Sequence, residues 1–215
     1  MDNFSKLLFV RPLLLLMGQG KFFARVMAMA VRACAALVVL FSLTTFFQVG
    51  KLLFALPASG IPGAVIFELL FVIGIYAVVH VLLLRARDLE QLAVGEWYAL
   101  PLAAVIMRML GETYAAFVSL VAIGTGVFVW FTNMSVTRIL NPTVRPLFPG
   151  MRDNPSFMGG IEFMVSGALA GLAVLVLSYV LAEVFELLTR LAARANDIQK
   201  NGHGAEPAYR SRFGS

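Results

Sequence analysis

Four long apolar stretches, separated by shorter polar segments, dominate the pattern of the chain. They run from Val26 to Phe47, Ala64 to Leu84, Gly111 to Phe131 and Phe163 to Leu188. The hydrocarbon core of a bilayer is ~30 Å thick, so a helix of ~20 apolar residues crosses it. The pattern therefore predicts an all-α, polytopic membrane protein with four transmembrane helices, arranged as two hairpins.

The polar segments divide the rest of the chain. Residues 1–24 mix basic and apolar positions around Pro12, which favours an amphipathic helix lying at the membrane interface. Residues 25–200 form the four-helix transmembrane domain. Residues 201–215 have little apolar content and are predicted to be a flexible cytoplasmic tail.

The third apolar stretch is preceded by a second interfacial segment. A single helix from Trp97 to Phe131 would be ~50 Å long, well beyond the hydrocarbon thickness. Arg108 and Glu112 also interrupt it. We therefore predict an interfacial or steeply tilted helix from Trp97 to about Leu110, leading into the third span.

Composition agrees with a membrane protein and sets its orientation. Hydrophobic residues make up 60% of the 215 positions, above the ~45–50% of soluble domains. The net charge of +5 comes from residues that flank the spans, which indicates contact with lipid headgroups rather than nucleic acid. Lysine and arginine are concentrated on the side that holds both termini, which places the termini in the cytoplasm, across what we expect to be a bacterial inner membrane. The residues compared are Lys6, Arg11, Lys21, Arg25, Arg85, Arg87, Arg190, Arg194, Lys200, Arg210 and Arg212 against Lys51, Arg138, Arg145 and Arg152.

Ionisable residues inside the spans are the sharpest chemical signal. With the predicted topology they all fall in the cytoplasmic half of the bilayer, where charges tend to face one another or water. A polar or proton-linked site is one interpretation, and a structural layer of ion pairs is the other, which we favour because every group lies near the interface. The predicted intramembrane cluster is Arg32, His80, Arg108, Glu112 and Glu183, with Glu186 nearby.

Small residues provide a second signal. Small side chains at a four-residue spacing let helix backbones approach closely in lipid. Such a face can pack inside one bundle or between subunits, and the sequence leaves both open. The residues concerned are Gly167 and Gly171 in the fourth span, and Ala115, Ser119, Ala122 and Gly126 in the third.

The third loop is the last candidate surface. Four prolines between residues 142 and 155 exclude a long helix there. Arg138, Arg145 and Arg152 lie on this stiffened backbone, where they could dock a partner loop or remain as solvated charges of an extracytoplasmic cap.

No motif in the chain identifies a reaction. Cys34 is the single cysteine and there are two histidines, so we predict no metal site, no cofactor and no catalytic residue. The preferred hypothesis is a non-enzymatic integral membrane subunit, either a homo-oligomer or an accessory chain of a larger complex. Its partners would be membrane lipids and membrane proteins. The alternative is a small transporter or channel that uses the Arg/Glu/His cluster, and a lipid- or quinone-active enzyme ranks last.

Overall fold

The computed structural model describes residues 20–92, 99–140, 145–148 and 154–210, and these residues form an all-helical chain. The long helices are α1 (Gly20–Leu53), α2 (Ile61–Gln91), α3 (Ala99–Thr132) and α4 (Phe157–Arg210). Short 3₁₀ turns cover Ala58–Gly60, Val136–Arg138 and Arg145–Leu147. Each long helix contains a stretch long and apolar enough to cross a membrane, which confirms the four predicted spans and fits an integral membrane protein.

Turn-forming residues mark the helix ends. Pro62 lies in the first turn of α2, where its missing N–H is not needed by the helix. At the end of α3, Asn133 adopts a left-handed conformation with φ of 48°. Its N–H donates to the carbonyl of Val129 at 2.8 Å. Asparagine is one of the few side chains that tolerate this geometry, so it stops the helix after Thr132.

Helix α3 is the centre of the bundle. It packs between α2 and α4, while α1 packs against α2. In its apolar stretch 44% of residues are buried inside the protein, against 17% for α1 and for α4. Among the described residues α1 and α4 make no comparable contact with each other. The four helices are therefore an open arc rather than a closed bundle.

Two apolar clusters hold the arc together. The first cluster contains Phe67, Phe71, Val118 and Phe128, together with residues of the third loop. It lies at the end of the bundle where Gly60, Thr132 and the third loop are found, which we call the loop end. The second cluster joins small residues of α1 to α2 and α3 at the opposite end of the bundle. We call this end the charged end, because it carries Arg32, Arg85 and Arg108. Its members are Ala28, Val31, Ala35, Val78, Leu82, Ala86, Leu89, Leu102 and Met109.

The described part of the third loop descends into the bundle. The hydroxyl group of Tyr114 donates to the carbonyl of Leu147 at 2.8 Å. Tyr114 lies about five turns, or ~27 Å, from Thr132 at the end of α3. A tyrosine side chain with its hydrogen bond reaches less than two turns, ~11 Å, so this carbonyl lies well below the end of the helix. Phe148 is buried and stacks on Phe163 of α4, with ring centroids 5.6 Å apart.

Two helices are longer than the apolar pattern predicted. Helix α3 is continuous from Ala99 to Thr132, where the sequence predicted an interfacial or steeply tilted helix leading into the third span. Helix α4 continues to Arg210, into the segment that we predicted to be a flexible tail. The predicted N-terminal interfacial helix falls on residues 1–24, of which 1–19 lie outside the described residues, as do Trp97 and Tyr98.

Candidate functional site

A network of charged side chains joins three helices near the charged end. Its centre is Glu112 of α3, which accepts hydrogen bonds from Arg85 of α2 and from Tyr179 of α4. The Arg85 Nε lies 2.9 Å from Glu112 Oε2, a second guanidinium nitrogen contacts Oε1, and the Tyr179 hydroxyl lies 2.5 Å from Oε1. Arg85 also pairs with Asp88 at 2.8 Å. One carboxylate thus holds α2, α3 and α4 together.

Arg108 extends this network along α3. It lies one turn before Glu112 but turns to α4, where its guanidinium group donates to Glu186 at 2.7 Å. The same guanidinium lies 5.7 Å from the centre of the Tyr179 ring, within the range of a cation–π contact. The charged network therefore consists of Arg85, Asp88, Arg108, Glu112, Tyr179 and Glu186.

Because its side chains are partly buried, the charged network holds α2, α3 and α4 together. The side chains of Arg85 and Glu112 are 22% and 17% exposed. A bidentate arginine–carboxylate pair is strong in such surroundings, but it becomes costly if one partner is lost. Each formal charge that the network takes inside the bundle is matched by an opposite charge from a neighbouring helix.

A second ion pair fastens α1 to α2. Arg32 contacts Glu90 through both carboxylate oxygens, at 2.8 and 2.9 Å. The two side chains are 43% and 36% exposed, so water or headgroups screen the attraction. Arg32 does not reach the charged network, because α1 packs mainly against α2, where Glu90 pairs with it.

Two of the predicted cluster residues face outward. His80 is exposed on α2 and stacks on the ring of Tyr76, with centroids 5.9 Å apart and an interplanar angle of 19°. Glu183 is exposed on α4 and forms no ion pair with any described residue. Of the five predicted residues, the structure brings Arg108 and Glu112 into one network, and leaves Arg32, His80 and Glu183 outside it.

The network also contains residues that the sequence analysis did not assign to it. The sequence pattern used Arg85 only as a flanking charge for orientation, and it gave no role to Tyr179. A signal for Arg85 was present, because it lies three residues after Leu82, on the helical face that includes Val78 and Phe71. Extending that face by one turn would have placed Arg85 inside the protein.

The small-residue faces lie opposite each other within the chain, between α3 and α4. A Cβ atom on Gly171 would lie 2.5 Å from Ser119 Oγ and 3.3 Å from the Ala115 carbonyl. A Cβ on Gly126 would lie 2.6 Å from the carbonyl of Gly160. Gly167 is buried on the same side of α4. In this structure both faces pack inside the bundle.

The remaining candidates lie near the loop end. Arg138 and Arg145 belong to 3₁₀ turns, and their side chains, like the whole of Arg152, lie outside the described residues. Glu68 of α2 is near Gly50, and its buried Oε1 has no hydrogen-bond partner among the described residues. The proposed docking role of the three arginines therefore stays a prediction.

A cavity of about 830 Å³ opens between α1 and α4. Its floor is formed by α2 and α3, and Leu147 of the third loop contributes to its wall. The sequence neighbours of the charged network border it, since Leu110, Gly111 and Thr113 line the cavity. The described residues include no group of three or more potential metal ligands.

Comparison with known proteins identified no family for the chain. No family model, no curated protein and no solved structure matches the chain. The geometry of the chain itself therefore carries the functional argument.

Proposed function

We propose that the chain is a non-enzymatic subunit of a membrane assembly, which contacts a second copy of itself or another membrane protein through the outward faces of α2 and α4. The observation that carries this proposal is the exposure of Tyr76, His80 and Glu183 within apolar helices. Tyr76 is 69% exposed. Polar and ionisable groups at membrane depth are costly in lipid and normally face protein or a water-filled space. A partner chain would provide that environment.

The polar groups on α2 cannot turn inward. At 3.6 residues per turn, His80 lies roughly 200° around the helix from Val78, which is buried against the bundle. Stacking on Tyr76 also fixes the imidazole ring on the outer face. A partner would therefore meet two parallel aromatic rings that carry hydrogen-bonding groups.

The internal pairing of the charged network favours a subunit over an ion pathway. Arg85, Arg108 and Glu112 already bind partners on neighbouring helices, so they tie the bundle together without any transported ion. The alternative of a small transporter is favoured by one feature, the cavity between α1 and α4. Its apolar lining suits a hydrophobic cargo better than an ion. In either case we propose that the charged end faces the cytoplasm of a bacterial inner membrane, as the Lys and Arg bias indicates.

The test is the state of assembly in a bilayer. Wild type, His80→Leu and Glu183→Leu would be purified in native nanodiscs, and their masses and accompanying chains measured by native mass spectrometry. We expect a discrete assembly for the wild type, and at least tenfold weaker association for each variant. Val72→Leu and Val180→Leu place the same residue at other exposed positions of α2 and α4, and should assemble normally. A monomeric wild type without a stoichiometric partner, or unchanged assembly of both polar variants, would refute the proposal.

A further inference from the structure

Two opposite charges on the outer surface of the bundle have no partner inside it. Arg87 of α2 and Glu183 of α4 are both exposed, and neither forms an ion pair with any described residue. The arginines Arg32, Arg85 and Arg108, by contrast, are all paired with carboxylates of the same chain. Arg87 and Glu183 are therefore available to groups outside the chain.

Both charges lie on the helix faces through which we propose that the chain assembles. Arg87 follows His80 by seven residues, two helical turns, so the two lie within ~20° of each other around α2. Glu183 follows Val176 by seven residues on α4, and Val176 is 55% exposed. Helix α3 lies between α2 and α4, so these outer faces belong to different sides of one bundle.

Contacts with α3 show that Arg87 and Glu183 lie at similar depth. A Cβ atom on Gly74 of α2 would lie 3.6 Å from Leu120 Cβ, and one on Gly171 of α4 would lie 2.5 Å from Ser119 Oγ. Gly74 and Gly171 are thus level with neighbouring residues of α3. Both helices run from the loop end to the charged end. Counting 1.5 Å per residue, Arg87 lies ~20 Å beyond Gly74, and Glu183 lies ~18 Å beyond Gly171.

The charged network gives the same result independently. Arg85 and Tyr179 meet on one carboxylate, that of Glu112. Arg87 lies two residues beyond Arg85, or ~3 Å, and Glu183 lies four residues beyond Tyr179, or ~6 Å. The remaining difference of ~3 Å is within the reach of an arginine side chain.

We propose that α2 of one copy packs in parallel against α4 of a second copy, and that Arg87 of the first copy pairs with Glu183 of the second. This inference rests on the proposed function, and it selects a second copy of the chain as the partner. All copies have the same orientation in the bilayer, so two charges at one depth in the monomer are at one depth between neighbours. The contact joins two different faces and is therefore head-to-tail, which leaves one face of each kind for the next copy.

The test is an exchange of the two charges. Arg87→Glu, Glu183→Arg and the double variant Arg87→Glu/Glu183→Arg would be made in the full chain, with donor or acceptor dyes on C-terminal tags. Energy transfer between copies in lipid vesicles would be measured as the protein is diluted in lipid. Each single reversal places like charges together, so we expect association to weaken about tenfold or more. The double variant restores an opposite pair, and its association should return to within about threefold of the wild type.

A second double variant controls for net charge. Arg87→Glu/Glu162→Arg makes the same two kinds of change, and Glu162 is also exposed on α4. It lies ~30 Å from Glu183 along the helix, far from the depth of Arg87. This variant should remain as weak as Arg87→Glu alone. Circular dichroism and gel filtration would show that every variant folds.

Rescue by the first double variant alone supports the pairing. If the wild type associates with itself but the single reversals have no effect, or both double variants behave alike, the pairing is wrong while assembly through α2 and α4 stands. A wild type that binds only a different membrane protein also overturns the pairing and not the proposed function. A wild type that is monomeric, without any stoichiometric partner, overturns both.

Discussion

Replacement of Glu112 by glutamine should lower the free energy of unfolding more than the same replacement in a surface ion pair. Glu112→Gln keeps the size of the side chain but removes the charge that faces Arg85, and it weakens the acceptor for Tyr179. The matched control is Glu90→Gln, which makes the same chemical change in the pair with Arg32. Both substitutions remove one negative charge from the charged end.

The difference in burial sets the expected magnitudes. Removing one member of a fully buried pair costs ~3–5 kcal/mol, because the other charge is left uncompensated. Arg85 is 22% exposed and keeps Asp88, so about 2 kcal/mol is a reasonable expectation for Glu112→Gln. The side chains of Arg32 and Glu90 are 43% and 36% exposed, and pairs of that kind contribute ~0–1 kcal/mol.

The assay is reversible unfolding in mixed micelles, followed by circular dichroism over a range of denaturing detergent. A loss of about 2 kcal/mol is a change of roughly 25-fold in the unfolding equilibrium constant, since 1.4 kcal/mol corresponds to tenfold. Glu90→Gln should change that constant less than about fivefold. If the two variants unfold alike, Glu112 is not the tie between α2, α3 and α4, and the burial argument fails.

Two further predictions concern packing and the third loop. Gly111→Ala should destabilise the bundle by ~1–3 kcal/mol in the same unfolding assay, because its Cβ would lie 2.5 Å from Ser178 Cβ. Adding Ser178→Gly to Gly111→Ala should remove that clash and restore stability. The control Gly74→Ala, whose Cβ would have its nearest neighbour 3.6 Å away, should be tolerated. If the costs of Gly111→Ala and Ser178→Gly simply add, the clash is not the cause. Tyr114→Phe should cost ~0.5–1.5 kcal/mol and speed hydrogen exchange in peptides that contain Leu147 and Phe148, with Tyr76→Phe as the control. Unchanged exchange would mean that the hydroxyl does not hold the segment.

The spans were predictable because their signal is local. Length and hydropathy decide whether a helix can cross a bilayer, and neither depends on which helices become neighbours. The interfacial or steeply tilted helix predicted before Gly111 had a different basis, since that prediction treated Arg108 and Glu112 as interruptions of the apolar stretch. In the structure both residues find partners on adjacent helices, so α3 carries them without a break.

The composition of the candidate site could not be predicted in the same way. The predicted cluster assumed that charges at similar depth face a common centre. Its members were Arg32, His80, Arg108, Glu112 and Glu183. Depth follows from the sequence, but the direction of each side chain depends on the order of the helices in the arc. Because α1 packs mainly on α2, Arg32 meets Glu90.

The depth of the described loop segment, residues 145–148, is explained in part by Pro146. Backbone N–H and C=O groups at membrane depth must be paired within the protein. Pro146 has no N–H, and the carbonyl of the next residue, Leu147, accepts the hydroxyl of Tyr114. Phe148 then adds a buried ring against Phe163. In this segment the Tyr114 hydroxyl thus pairs one backbone carbonyl, and the Phe148 ring anchors the chain.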